Sequence, residues 1–171
     1  MVGGSRLRLS AAALGGLVLV WALLTACAGP SQYYAGSGLH DATVAEVAGG
    51  WRNVEGTRVV LGHDGTALVE RLDGQDFGFD DGWRLSGTGT WRLADGDGDG
   101  GQVVRLELTA RTRVDRRLPV TAIGASAPEP PSTYSWEFSV DRDRRGALTL
   151  FFFYGDPDAG NAYVMTRETA S

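Results

Sequence analysis

The chain has 171 residues, of which 16 are basic and 21 are acidic, so its net charge is −5. All of the basic residues are arginines. An acidic chain is a poor candidate for binding nucleic acid, because contacts to phosphates need clustered cations. Cys27 is the only cysteine, so an internal disulfide is excluded. The fold must therefore be stabilised by its own apolar core.

The first 26 residues have the three parts of a secretory signal peptide. Arg6 and Arg8 supply the positive start, the stretch that ends at Leu24 is apolar, and two small residues precede Cys27. The apolar run is about 15 residues long, shorter than the ~20 that a membrane-spanning helix needs. Cleavage is therefore predicted. The alternative is an uncleaved N-terminal anchor with an incidental cysteine.

The run Leu24-Thr25-Ala26-Cys27 resembles the lipobox of bacterial lipoproteins. The resemblance implies cleavage after Ala26, attachment of a diacylglycerol with acyl chains such as palmitate to Cys27, and a location on the extracytoplasmic face of the membrane. Residues 1–26 would be the signal peptide, 27–38 a flexible tether and 39–171 a single β domain. Without two arginines of the signal peptide, 14 basic residues (16 − 2) would face 21 acidic ones, a net charge of −7.

A short helix is predicted from His40 to Ala48, with Asp41 as its cap and two glycines at its end. The rest of the domain is typical of strands, because apolar and polar residues alternate and Gly/Asp turns separate the runs. The predicted strands begin at Trp51 and continue at Thr57–Gly62, Ala67–Leu72, Gly87–Leu93, Gln102–Thr109, Tyr134–Asp141, Ala147–Tyr154 and Ala162–Glu168.

We therefore predict an all-β fold of about eight antiparallel strands, either a small up-and-down barrel or a sandwich, with one short N-terminal helix. His63-Asp64-Gly65 is predicted as a hairpin turn. Prolines make 124–133 a loop, and 111–120 is a possible edge strand. Tryptophans recur at positions 51, 91 and 136 near strand starts, where a bulky ring could plug one end of the sheet. Phe138, Phe151 and Phe153 are expected to join them in the core or at its mouth.

Gly49-Gly50-Trp51 after a short helix resembles the lipocalin and calycin-like barrels. The resemblance implies that the tryptophan packs across the closed end of a barrel, that Arg167 on the last strand covers it, and that the interior could hold an apolar ligand. The alternative is an ordinary structural tryptophan.

A second resemblance, to uncharacterised small lipoproteins of high-GC Gram-positive bacteria, spans most of the mature domain and implies no activity. It depends on four motifs: Gly49–Trp51, Asp64–Thr66, Gly89–Trp91 and Gly155–Asp158.

Aromatic residues are the candidate ligand-binding positions, because rings beside carboxylates can bind sugars or peptides. The alternative is a loop that packs its own aromatic rings. The candidates are Trp51, Trp91, Trp136, Phe77, Phe79 and Trp83, the last three lying beside Asp76, Asp80 and Asp81.

Asp95, Asp97 and Asp99 are followed by a glycine, as at the start of a calcium-binding loop. Leu106 occupies the twelfth position, where such a loop has a bidentate glutamate. The motif is therefore a weak candidate metal site, and the alternative is a solvated hairpin loop.

Catalytic patterns are missing from the sequence. The only histidines are His40 and His63, and neither belongs to a nucleophile or metal motif. We predict that the protein is not an enzyme and needs no cofactor.

The predicted function is a lipid-anchored binding or interaction domain at the cell envelope. The membrane is a predicted partner through Cys27, and a small apolar ligand or an envelope protein is a further predicted partner. The alternatives are a lipocalin-like carrier and a carbohydrate-active enzyme.

Overall fold

Eight antiparallel strands follow one another in chain order around a closed barrel, and one short helix precedes them. The structure is a computed structural model, and it describes residues 36–75, 82–98, 100–117, 129–155 and 159–169. The elements are α1 (Val44–Val47), β1 (Gly49–Arg52), β2 (Arg58–Leu61), β3 (Thr66–Asp73), β4 (Trp83–Asp95), β5 (Gln102–Arg116), β6 (Tyr134–Arg142), β7 (Leu148–Phe153) and β8 (Ala162–Arg167).

The barrel is closed by pairing between its first and last strands. Trp51 on β1 lies opposite Arg167 on β8, and Arg52 lies opposite Thr166. Glu168 adds to the pairing of β1 with β8, because its backbone N–H donates to Gly50 O at 2.9 Å. The all-β prediction is confirmed, and of the two predicted architectures the barrel is the one present.

The helix is shorter than predicted, and its cap is a different residue. Thr43, not Asp41, is the N-cap, and it forms a capping box with Glu46. The Thr43 hydroxyl accepts from Glu46 N at 3.2 Å, and the Glu46 carboxylate accepts from Thr43 N at 2.9 Å. Hydrogen bonds to Thr43 lower the pKa of Glu46. The reciprocal pair satisfies two backbone donors at the helix start, which explains why the helix begins four residues later than the sequence indicated. Among the described residues, no helix is long and apolar enough to cross a membrane.

The β4–β5 ribbon is much longer than the neighbouring strands. It contains two irregularities in register, at Ser86/Gly87 and at Thr88/Gly89. A Cβ on Gly87 or Gly89 would clash with the backbone of β5, so these glycines let the two strands approach closely. The edge strand predicted at 111–120 is confirmed for residues 111–116, which continue β5 and pair with β4, whereas pairing of β5 with β6 ends at Leu108; residues 118–120 lie outside the described residues.

The sequential antiparallel order places the connections alternately at two ends of the barrel. The closed end carries α1 and the turns at 62–65, 96–101 and 143–147. The mouth carries the connections at 53–57, 74–82, 117–133 and 154–161.

The described chain begins at the closed end, where the Ser37 hydroxyl donates to Val140 O at 2.6 Å and Gln102 N donates to Leu39 O at 2.7 Å. The turn predicted around Asp64 is confirmed, with Gly65 N donating to Gly62 O.

The interior of the barrel is filled by apolar side chains from every strand. Trp51, Trp136 and Phe138 are among its largest fully buried members. Phe151 and Phe153, which are predicted for the core or its mouth, are half-buried, and Phe153 ends β7 at the mouth. Alternation on β7 explains their partial burial, because Leu150 and Phe152 are the residues of that strand that are buried.

Candidate functional site

The closed end is built around Trp51. Its indole N–H donates to Val47 O at 2.9 Å. The Arg167 guanidinium lies 5.0 Å from the centre of the ring and donates to Ala48 O at 2.6 Å and to Glu46 O. Arg167 therefore joins the helix to the barrel by a cation–π contact and by satisfying carbonyls at the helix end. The predicted contact between Trp51 and Arg167 is confirmed.

The three repeated tryptophans do not plug the same end. Trp91 lies late in β4 and donates to Gly62 O at the closed end, at 2.7 Å. Trp136 lies near the mouth, where its indole donates to Asp73 O at 2.7 Å. All three rings are buried, and each indole N–H has a backbone acceptor, as buried tryptophans usually require. Their arrangement is that of core residues, and the expectation of a single plugged end is wrong.

A buried ionic cluster at the mouth is the most unusual feature of the barrel. Asp73, at the end of β3, is fully buried (0% exposed), and Arg84 on β4 is 7% exposed. The Asp73 carboxylate accepts from Arg84 Nε at 3.1 Å and from Arg117 Nε. Glu55, in the β1–β2 connection, accepts from Arg84 Nη2 at 2.7 Å and from Arg117. Charged residues are rarely buried unless they are paired, so this cluster marks the mouth as the candidate site.

Two hydroxyl groups extend the cluster across the barrel. The Tyr163 hydroxyl on β8 lies 2.9 Å from Asp73 Oδ2 and also contacts the Thr57 hydroxyl. The Thr57 hydroxyl donates to Arg71 O at 2.7 Å. Arg71 lies in the β3 bulge with a φ of 56°. We call these six side chains the mouth network; they are Glu55, Thr57, Asp73, Arg84, Arg117 and Tyr163.

The titration of Asp73 is affected by the same geometry. The Tyr163 hydroxyl donates to Asp73 Oδ2 at 2.9 Å, and the Thr57 hydroxyl donates to Arg71 O at 2.7 Å. Burial raises the pKa of Asp73 above its ordinary value, although the charge of Arg84 and the Tyr163 hydroxyl oppose the shift. Burial and the charge of Asp73 also raise the pKa of Tyr163, so that its hydroxyl keeps its proton.

Asp115 is a third carboxylate beside this network. The β-sheet register places it opposite Arg84, which in turn lies opposite Asp73. Its Oδ1 pairs with Arg113 Nη2 at 2.6 Å. Its Oδ2 is buried and has no hydrogen-bond partner among the described residues, so the mouth retains an acceptor for a further donor.

A second polar contact lies beside the network, where β3 ends. The Tyr134 hydroxyl accepts from Gln75 N at 2.8 Å and donates to Gln75 O at 2.7 Å. The Gln75 side-chain amide bonds both backbone groups of Glu137 on β6, each at 2.9 Å. Gln75 therefore occupies the main-chain positions that a neighbouring strand would otherwise take.

The predicted aromatic site is only partly within the described residues. Trp83 is buried and meets Tyr134 edge-on, with ring centres 5.3 Å apart. Phe77 and Phe79 lie outside the described residues.

The predicted calcium loop lies at the closed end, between β4 and β5. Asp95 and Asp97 are exposed, and Asp99 lies outside the described residues. The part of the chain that the structure describes contains no group of three or more side chains placed to hold a metal ion. The calcium site therefore stays a prediction.

The mouth network was missed by sequence reasoning. Its charged members are scattered over 63 positions of the chain, from Glu55 to Arg117, and each resembles an ordinary surface charge. The one available signal was Asp73, which directly follows the last residue of the predicted strand Ala67–Leu72. Nothing local distinguishes such a residue from the start of a turn.

Comparisons of this chain with protein-family models, with curated proteins and with solved structures find no match.

Proposed function

We propose that this protein is a lipid-anchored binding or interaction domain on the extracytoplasmic face of the cell membrane, and that the barrel mouth is its binding end. The proposal is supported by the lipobox-like run that ends at Cys27 and by the position at which the described chain begins. Residues 36–39 pack against the closed end, where Gln102 N donates to Leu39 O. The tether therefore joins the barrel at the end opposite the mouth.

The length of the tether limits how the barrel is presented. Gly36 follows Cys27 by nine residues, which span at most about 30 Å when fully extended. A lipid on Cys27 keeps the closed end next to the bilayer and turns the mouth away from it. The buried charges and the longer connections then face the partners that an envelope protein meets, as expected for loops on a rigid scaffold.

The anchor is tested with a Cys27→Ser variant expressed in the native type of cell. We expect wild-type protein in the membrane fraction, and Cys27→Ser protein in the soluble or the unprocessed fraction, because two acyl chains are needed for stable anchoring. Ala28→Ser is the matched control, since it changes the next residue and keeps the thiol. A Cys27→Ser protein that is still processed and membrane-bound would contradict the anchor.

A second candidate function is a carrier of a small apolar ligand. The closed barrel and the cover of Trp51 by Arg167 favour it, because eight-stranded barrels of this size can hold one small ligand. Native mass spectrometry of the purified domain tests it. A carrier should release a co-purifying lipid or small molecule, whereas a barrel that binds its partner only from outside should give the mass of the chain alone and bind no apolar dye.

A further inference from the structure

Among the described residues, main-chain pairing joins the β7–β8 hairpin to β6 and β1 along only half of its length. On the β6 side, main-chain pairing ends where Ser139 meets Phe151. On the β1 side, it consists of two pairs, of which the one nearer the mouth joins Arg52 to Thr166. Between these limits and the mouth, β7 and β8 pair with each other, as in Phe152 with Tyr163.

The half of the β7–β8 hairpin nearer the mouth borders a side chain on its β6 side and a groove on its β1 side. On the β6 side, the Gln75 amide takes the backbone groups of Glu137, which the continued register would place opposite Phe153. On the β1 side lies a groove of ≈ 190 Å³. The β1–β2 connection forms one wall, with Val54 fully exposed, and β8 forms the other, with Val164 45% exposed. Strand-to-strand pairing with β6 and with β1 thus ends, among the described residues, on both sides of the same hairpin.

The inner face of this half packs on the core through two rings. Phe152 stacks on Tyr163 with ring centres 4.7 Å apart, and it contacts Phe138 at 5.3 Å. The Tyr163 hydroxyl then fastens the hairpin across the barrel to Asp73 on β3 and to Thr57 beside β2. A buried hydroxyl with partners on two other elements joins the hairpin to parts of the barrel that its backbone does not reach.

We infer that the mouth half of the β7–β8 hairpin, residues 152–154 and 162–164, is a flap in the barrel wall, fastened by the Tyr163 hydroxyl, through which the interior is reached from the side. Strand pairing at the closed-end half is the hinge, because the ladders to β6 and β1 are intact there. Opening of the flap would expose Phe138 and Phe152 and would leave the rest of the barrel paired. The inference goes beyond the proposed function and does not depend on the lipid anchor.

Amide hydrogen exchange of the Tyr163→Phe variant tests the flap. The substitution keeps the stacked ring and removes only the hydroxyl. We expect exchange of the amides in 152–154 and 162–164 to become about tenfold faster or more, because the bonds that fasten the flap are lost. Amides of β3 and β4 should exchange at the wild-type rate. N-phenyl-1-naphthylamine, an apolar fluorescent probe, should enter Tyr163→Phe faster than it enters the wild type.

Tyr134→Phe is the matched control, because it removes a tyrosine hydroxyl at the same end that bonds Gln75 and not the flap. It should leave flap exchange unchanged. Thr57→Val, which removes the other hydroxyl partner of Tyr163, should speed exchange at the same positions and serves if Tyr163→Phe folds poorly. Equal acceleration throughout the barrel, or unchanged exchange in the flap, would overturn the inference.

Discussion

Replacing Asp73 by alanine is expected to destabilise the barrel by about 3–5 kcal/mol, the usual effect of removing one partner of a buried ion pair. Arg84, which is 7% exposed, would retain only the contacts to Glu55. Tyr163 would lose the acceptor 2.9 Å from its hydroxyl. The free energy of unfolding from urea titration, compared between the variant and the wild type, measures the effect.

The matched control is Glu137→Ala, which removes an exposed carboxylate bonded to Arg105 at 2.8 Å. Its side chain is 47% exposed, so a loss of no more than about 1 kcal/mol is expected. Similar losses in Asp73→Ala and Glu137→Ala would show that the mouth network contributes no more to stability than a surface pair does.

The contribution of Asp73 to the free energy of unfolding is expected to change with pH in one direction. Burial raises the pKa of Asp73 in the folded protein. A protonated Asp73 is therefore favoured by folding, and its contribution is fully present below the unfolded-state pKa of ~3.9 and is lost as pH rises through the folded pKa. Asp73→Asn has no such titration. The stability of the wild type relative to Asp73→Asn should thus fall as pH rises from acidic to neutral, and a difference that does not change with pH would contradict the raised pKa.

Replacing Trp51 by alanine is expected to cost about 3–5 kcal/mol, the range for removing a large buried aromatic side chain. Trp51 is fully buried. The variant would lose the bond to Val47 O and the ring over which Arg167 lies, so the loss should reach the helix as well as the core. The midpoint and slope of urea unfolding test the prediction.

A double-mutant cycle separates the energy of the contact between Trp51 and Arg167 from the energy of packing Trp51 in the core. In a double-mutant cycle with Trp51→Ala and Arg167→Ala, we expect an interaction energy of at least about 0.5 kcal/mol, since the two residues are in contact. Val54→Ala, at a fully exposed position, should change stability by less than about 0.5 kcal/mol. Strict additivity of the two substitutions would mean that Arg167 stabilises the closed end through the helix carbonyls alone.

Local patterns in the sequence were sufficient to predict most of the strands. Tyr134, Trp136 and Phe138 alternate with polar residues, and β6 begins where that alternation begins and ends within one residue of its end. The end of β5 was predicted only as a separate edge strand, because the arginines at 111, 113 and 116 interrupt the apolar alternation. They lie on a ribbon that pairs only with β4 beyond position 108, and apolar alternation weakens where a strand has no core to cover.

Features that depend on distant residues could not be predicted in the same way. The choice of barrel over sandwich depends on pairing of β1 with β8, which leaves no signal in either segment alone. The mouth network likewise depends on the bulge that brings Asp73 inward and on the position of Tyr163 at the far end of the chain. The contact between Trp51 and Arg167 was expected only because a motif resembled that of known barrels.

The two ends of the barrel differ in the way that the proposed function requires. At the closed end, α1 and the start of the described chain pack on the barrel. At the mouth, buried charges join the ends of β3 and β4 to the β1–β2 connection and to Arg117. A domain tethered at the first end and fastened by ionic contacts at the second can present a binding surface away from a membrane while its core stays intact.

Mass spectrometry of the protein purified from the membranes of a native host cell tests whether Cys27 carries the lipid anchor. We expect an intact mass that corresponds to a chain beginning at Cys27 plus a diacylglycerol, and a modified N-terminal peptide in the digest. A mass that corresponds to the chain from Met1, or to a cleaved chain without lipid, would contradict it.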